Sequence, residues 1–171
     1  DGGDIAGATD KARFNVAQLL PRVEAGAFVV VPGPTCSYTI KKEWPELLGT
    51  PEAKKVAAAT VDIMELMERL RREKTLVKDF TTSLGKVAYH IPCHSRVQNM
   101  GQKTREMLES VPGTQVAVVE RCSGHDGTWG IKSEYFDNSM KIGRPVFRMM
   151  AEADAAYVSS DCPTAARHIM Q

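Results

Sequence analysis

The sequence predicts an α/β protein with a mostly parallel sheet, helices on both faces, and cysteines in loops at the C-terminal ends of strands. Short β-branched runs recur at Phe28-Val29-Val30-Val31, Val87-Ala88-Tyr89, Val116 to Val119 and Ala156-Tyr157-Val158. Segments with helical spacing of apolar residues separate these runs, which calls for crossover connections and parallel pairing. Each of the four cysteines, Cys36, Cys93, Cys122 and Cys162, follows one of the runs within a few residues. Ligands of open α/β sheets bind beyond the carboxyl ends of the strands, so the cysteine placement locates the chemistry as well as the fold.

Thr9 is positioned to cap a helix from Asp10 to about Val23, with Pro21 shortening or kinking its last turn. Ala27 to Val31 has the length and continuous apolarity of a buried parallel strand and ends at Pro32-Gly33-Pro34. Thr35-Cys36-Ser37 opens a short helix toward Leu48 that Pro45 limits. Thr50-Pro51-Glu52 is a strong helix start, and the apolar stripe Val56, Ala59, Ile63, Met64, Met67 and Leu70 predicts one helix to about Glu73. Its basic end, Arg69, Arg71, Arg72 and Lys74, reads as a solvated terminus. Thr75 to Leu84 connects to a strand over Lys86 to His90, a loop at Ile91 to Arg96 and a helix over Gln102 to Ser110. A strand follows over Gln115 to Val119. A helical region from Ser133 to Ala151 is expected to break at Gly143-Arg144-Pro145. A last strand over Ala153 to Val158 precedes a helix over Thr164 to Met170.

A chain of 171 residues, 43% hydrophobic and 25% charged, is long enough for one domain with a core or for two small halves. A net charge of +1 gives no basic surface of the kind that nucleic-acid binding needs, so no nucleic-acid partner is expected. No apolar run approaches the roughly 20 residues of a transmembrane helix, so membrane contact is expected only peripherally, through a partner. The opening Asp1-Gly2-Gly3-Asp4 reads as the middle of a longer chain. Four widely spaced cysteines do not resemble a secreted disulfide framework; they suit a reducing, cytoplasmic setting, where thiols bind metal or do chemistry.

Thiolates are the ligands that iron-sulfur clusters and zinc select, with imidazole an acceptable fourth donor. His90, His94 and His125 lie in the same loops as the cysteines, and His125 stands three residues past Cys122. Gly124, Gly127 and Gly130 around Cys122 would let backbone N–H groups approach a ligated sulfur. Trp129 is placed to shield the loop from water. His90, at a strand end before Pro92, reads as a residue that orients a loop.

Thr35-Cys36-Ser37-Tyr38 with Lys41-Lys42-Glu43-Trp44-Pro45, His90-Ile91-Pro92-Cys93-His94, Cys122-Ser123-Gly124 and Asp161-Cys162-Pro163-Thr164 together resemble the cysteine-rich CCG domain. That domain occurs in iron-sulfur subunits of heterodisulfide reductase, glycolate oxidase and anaerobic glycerol-3-phosphate dehydrogenase, and the resemblance covers nearly the whole chain. It implies two halves. Residues 1–75 would be the remnant of a first (helix, strand, long helix), and residues 76–171 the second.

By that match Cys93, Cys122 and Cys162 fall on one cluster-binding motif, and Cys36 falls on the last cysteine of the preceding half. The motifs are degenerate. Ser123 stands for the second cysteine of Cys-Cys-Gly and Ala165 for the last of Cys-x-x-Cys, which removes the ligands of a large non-cubane cluster. What the resemblance then implies is a [4Fe–4S] cluster on Cys93, Cys122, Cys162 and a fourth donor, Cys36, His125 or His94. It would relay electrons between a flavin- or iron-sulfur-containing oxidoreductase partner and a quinone or other acceptor. The alternatives are a structural zinc or metal-free scaffold of the same ancestry, and a thiol enzyme using Cys122 activated by His125.

Overall fold

The computed structural model describes residues 3–171; Asp1 and Gly2, and with them the start of the opening Asp1-Gly2-Gly3-Asp4, lie outside the described residues. The chain divides into two compact units, residues 1–66 and 67–171. Each has its own sheet, and the described strands form two small parallel sheets, in keeping with the expected α/β class.

In the first unit α1 (Ile5–Glu24) begins earlier than predicted, because Asp4 caps it by accepting from the Gly7 N–H at 2.8 Å. Thr9 lies inside the helix and returns its hydroxyl to the Ile5 carbonyl. Pro21 is exposed and sits within the helix without ending it. β1 (Val29–Val31) leads into α2 (Pro34–Tyr38), a π-helical turn (Thr39–Glu43) and α3 (Trp44–Leu48), which run on without a break. Val16, Ala53 and Val56 form the core, with Leu19, Leu20, Ile40, Trp44 and Leu48 packed around it.

The predicted long helix from Pro51 to Glu73 is wrong. α4 (Pro51–Ala58) starts at the Thr50 cap as expected, but Thr60-Val61-Asp62 forms β2, paired in parallel with β1, before α5 (Ile63–Arg72). The β-branched pair at positions 60 and 61 fits a strand better than a helix interior. Asp62 also restarts the helix: its carboxylate accepts from the Met64 N–H at 3.0 Å while Glu65 accepts from the Asp62 N–H at 2.9 Å. This reciprocal cap satisfies two orphan donors. Asp62 is buried, and the Ser37 hydroxyl donates to it at 3.0 Å, fastening the turn after β1 to β2.

The second unit begins within α5. Its basic end is not simply solvated, since Arg71 and Arg72 both grip the buried Glu68 carboxylate at 2.6 Å. Then β3 (Lys86–His90), α6 (Cys93–Val97), α7 (Lys103–Glu109), β4 (Gln115–Val119), a 3₁₀ turn (Trp129–Ile131), α8 (Ser133–Glu152), β5 (Tyr157–Ser160) and α9 (Pro163–Ile169) follow. The strand order is β4-β3-β5, all parallel, with His90 opposite Val119 on one side and Ser160 on the other. β4 and β5 flank β3 on opposite sides, so right-handed crossovers put α7 and α8 on opposite faces of the sheet. Val87 to His90 are accordingly buried.

α8 passes through Pro145 unbroken, against the expected interruption. Pro145 is exposed, so the carbonyl it cannot bond faces water, while Ser139, Gly143, Val146 and Met150 form a buried stripe at helical spacing. Val146 and Met150 pack on Ala88 and Val119 of the sheet.

Candidate metal centre

The strand order reverses at β3, so the crevice outside its carboxyl end is a topological switch point, where ligands of such sheets bind. Cys93, Cys122 and Cys162 follow the ends of β3, β4 and β5 by three, three and two residues. Cys36 follows β1 in the first unit, exposed on α2.

Cys93 is the first residue of α6 and reaches the surface, as does Cys122. Partial burial pushes the Cys93 thiol up, and the neighbouring Cys122 adds to that rise. The Gly124 N–H is directed at the Cys122 sulfur at 3.4 Å. Gly124 has φ +86, a conformation a side chain resists.

Cys162 is buried at the start of α9 and lies 3.9 Å from Nε2 of His125. Burial pushes its thiol up, but the His125 imidazole and the backbone N–H groups of Ala165 and Thr164 outweigh that and bring it down to about 7. His125 is raised in return, chiefly by Cys162. His125 therefore partners Cys162, not Cys122 as the thiol-enzyme reading required. His94 follows Cys93 on α6 and is half-buried.

His90 is fully buried. Its Nε2 donates to the Arg121 carbonyl at 2.8 Å and its Nδ1 bonds the Ser160 hydroxyl at 3.0 Å. A carbonyl only accepts, so Nε2 carries the proton and Nδ1 accepts; burial keeps the ring below its usual pKa and hence neutral. The ring thus joins the residue before Cys122 to the end of β5, two residues before Cys162. Asp161 does similar work, accepting from Tyr89 Oη at 2.6 Å and Thr104 Oγ1 at 2.8 Å.

Ser123 and Gly124 are buried, Gly127 is exposed, and half-buried Trp129 stacks on Tyr135 at 5.1 Å between centroids. Asp161, Ser139 and His168 are not among the site residues expected from the sequence. Asp161 adjoins Cys162, and Ser139 stands four residues before Gly143 on the buried stripe, a signal that the expected helix break concealed.

Among the described residues no three Cys, His, Asp or Glu side chains converge as the shell of one metal ion requires. The donor set fits a cluster on two counts: one thiol is about half ionised at neutral pH beside an imidazole, and Nδ1 of that imidazole is buried without a hydrogen bond.

The second unit is thus a parallel-sheet domain with a cysteine just past the end of each of its strands. Residues 87–169 match the family model of the CCG cysteine-rich domain, and the second unit belongs to that family. An anaerobic glycerol-3-phosphate dehydrogenase subunit from Escherichia coli is 33% identical over 92% of this chain and 41% of its own. A dihydromethanophenazine:CoB–CoM heterodisulfide reductase subunit from Methanosarcina mazei is 28% identical over 93% of this chain and 38% of its own. An iron-sulfur protein of Methanocaldococcus jannaschii is 35% identical over 49% of this chain and 17% of its own. The chain thus spans about two fifths of the length of the first two relatives. No solved structure matches. Among the described residues no helix is long and apolar enough to cross a membrane.

Proposed function

We propose that the second unit is an iron-sulfur electron-transfer domain of an oxidoreductase complex, with Cys93, Cys122 and Cys162 as cluster ligands and His125 as the fourth donor. The observation that carries this reading is the placement of three cysteines just past three successive strand ends, beside the switch point, with an imidazole against one of them. Its relatives include dehydrogenase and reductase subunits and an iron-sulfur protein, which supports a relay serving a flavin- or iron-sulfur-containing partner and a quinone or other acceptor.

When bound, a [4Fe–4S] cluster supplies one-electron transfer. The chain's part is to hold it. His90 and Asp161 brace the loops that carry the cysteines, the Gly124 N–H hydrogen-bonds the Cys122 sulfur, and the Trp129–Tyr135 stack limits water at the loop. Ser123 and Ala165 take the places of two further cysteines, which leaves ligands for a conventional cluster and not for a larger one.

Anaerobic purification and reconstitution followed by iron and sulfide analysis tests the proposal. About four iron and four sulfide per chain are expected for a [4Fe–4S] site. A colourless, iron-free product would sink it, and one equivalent of zinc with unfolding on chelation would favour the scaffold reading.

A further inference from the structure

Against the Cys122 loop lies a buried polar contact that none of the proposed ligands makes. Ser139 on α8 is fully buried, and its hydroxyl lies 2.8 Å from the Gly124 carbonyl and 2.9 Å from Nε2 of His168. The carbonyl can only accept, so the hydroxyl gives it the one proton it has, and His168 must donate to the hydroxyl oxygen. His168 is itself buried on α9, held edge-on by Phe136 at 6.4 Å and Phe147 at 5.5 Å.

Phe136, Ser139, Gly143 and Phe147 share one face of α8. The loop is pressed against that face. A Cβ on Gly143 would collide with the Ser123 carbonyl oxygen, and one on Gly124 would lie 2.9 Å from the Gly143 nitrogen. The carbonyl clamped by Ser139 and the N–H directed at Cys122 lie in the two adjacent peptide groups that meet at the Gly124 Cα.

We infer that Ser139 and His168 are positioning residues for the centre, forming a His168→Ser139→Gly124 relay of hydrogen bonds that fixes the Gly124 N–H on the Cys122 sulfur. The inference rests on the proposed cluster reading for its electronic consequence, and on geometry alone for its mechanical one. Hydrogen bonds to ligated sulfur favour the more negative, reduced state and so help set the potential. Ser139 and His168 touch neither sulfur nor iron; they tune the centre through the two peptide groups that meet at the Gly124 Cα.

The test compares Ser139→Ala, His168→Leu and His168→Gln with the wild-type chain. Glutamine retains an N–H donor for the Ser139 oxygen, whereas leucine fills space without one. In the metal-free proteins, hydrogen exchange is followed for a peptide covering residues 121–130 and for one covering β3. The relay predicts loop exchange about tenfold faster in Ser139→Ala and His168→Leu, the factor for one lost hydrogen bond, with β3 unchanged and His168→Gln near wild type. In reconstituted proteins the midpoint potential should fall in the same two variants and return in His168→Gln, with a matching change in the reduced-state EPR signal.

Unchanged loop exchange in both loss variants would overturn the inference. So would a glutamine variant as loose as leucine, or wild-type potentials in variants that load iron fully. A wild-type chain that takes up no iron refutes the cluster reading, and the exchange measurement still decides the relay. Should Ser139→Ala fail to fold, the His168 pair decides it.

Discussion

Gly143→Ala sets two known effects against each other on α8. The backbone there is regular helix, so alanine gains roughly 1 kcal/mol of helix propensity over glycine. The added methyl, however, collides with two neighbours. One is the far end of the Phe147 ring, which can rotate aside at modest cost. The other is the carbonyl oxygen of Ser123, part of a backbone held from both sides by the His90 contact to Arg121 and the Ser139 contact to Gly124. Inserting a methyl into a packed site costs about 1–3 kcal/mol, and a backbone obstacle places this case in the upper half of that range. The net expectation is a loss of about 1–2 kcal/mol, or roughly 2–8 °C in Tm for a chain of this size. Thermal and urea unfolding of the metal-free protein measure it, and iron uptake should fall in parallel because the Cys122 loop must move. A Gly143→Ala chain more stable than wild type would refute the reasoning, since propensity would then have won and the loop could not be packed on the helix as described.

Three further outcomes follow from the same geometry. The ultraviolet thiolate absorbance of the metal-free chain should contain one thiol titrating at about 7, that of Cys162. Because its folded pKa lies below the ordinary 9.0, the stability its ionisation contributes is present above that ordinary value and is lost as pH falls through about 7. His125→Asn should move the midpoint upward, and a midpoint left in place would remove His125 as its partner. For the fourth donor, His125→Ala should lower iron uptake or convert the EPR signal, while Cys36→Ser should leave both as in wild type; the reverse pattern would assign the position to Cys36. Asp62→Ala removes the acceptor of the half-buried Met64 N–H and one of the two acceptors of the buried Ser37 hydroxyl, which keeps the Pro34 carbonyl, and should cost about 1–3 kcal/mol in urea unfolding. An unchanged urea midpoint would show that β2 does not depend on that cap.

Much of the fold could be read from the chain because its signals were local. β3 and β4 are continuous apolar runs bounded by turn residues, and they lie where the pattern put them. The cysteine rule needed only the strand ends. β2 escaped because three residues cannot show a period against a helical stripe that continues on both sides, although Asp62-Ile63-Met64-Glu65 did carry the spacing of a reciprocal cap. The passage of α8 through Pro145 escaped because tolerance of proline depends on which side of the helix faces water, and that is a tertiary fact. The same holds at the centre. Cys93, Cys122 and Cys162 are visible as residue types, whereas the pairing of His125 with Cys162 and the contact from His168 through Ser139 to Gly124 depend on how α8 and α9 pack.

The central claim is tested most directly by EPR during a reductive titration of the anaerobically reconstituted chain, alongside Cys93→Ser, Cys122→Ser and Cys162→Ser. The account predicts one paramagnetic signal appearing on one-electron reduction of the wild type, with iron near the [4Fe–4S] stoichiometry, and that signal lost or altered in each of the three variants. A signal that survives unchanged in any of them, or a wild-type chain that binds no iron, would contradict it.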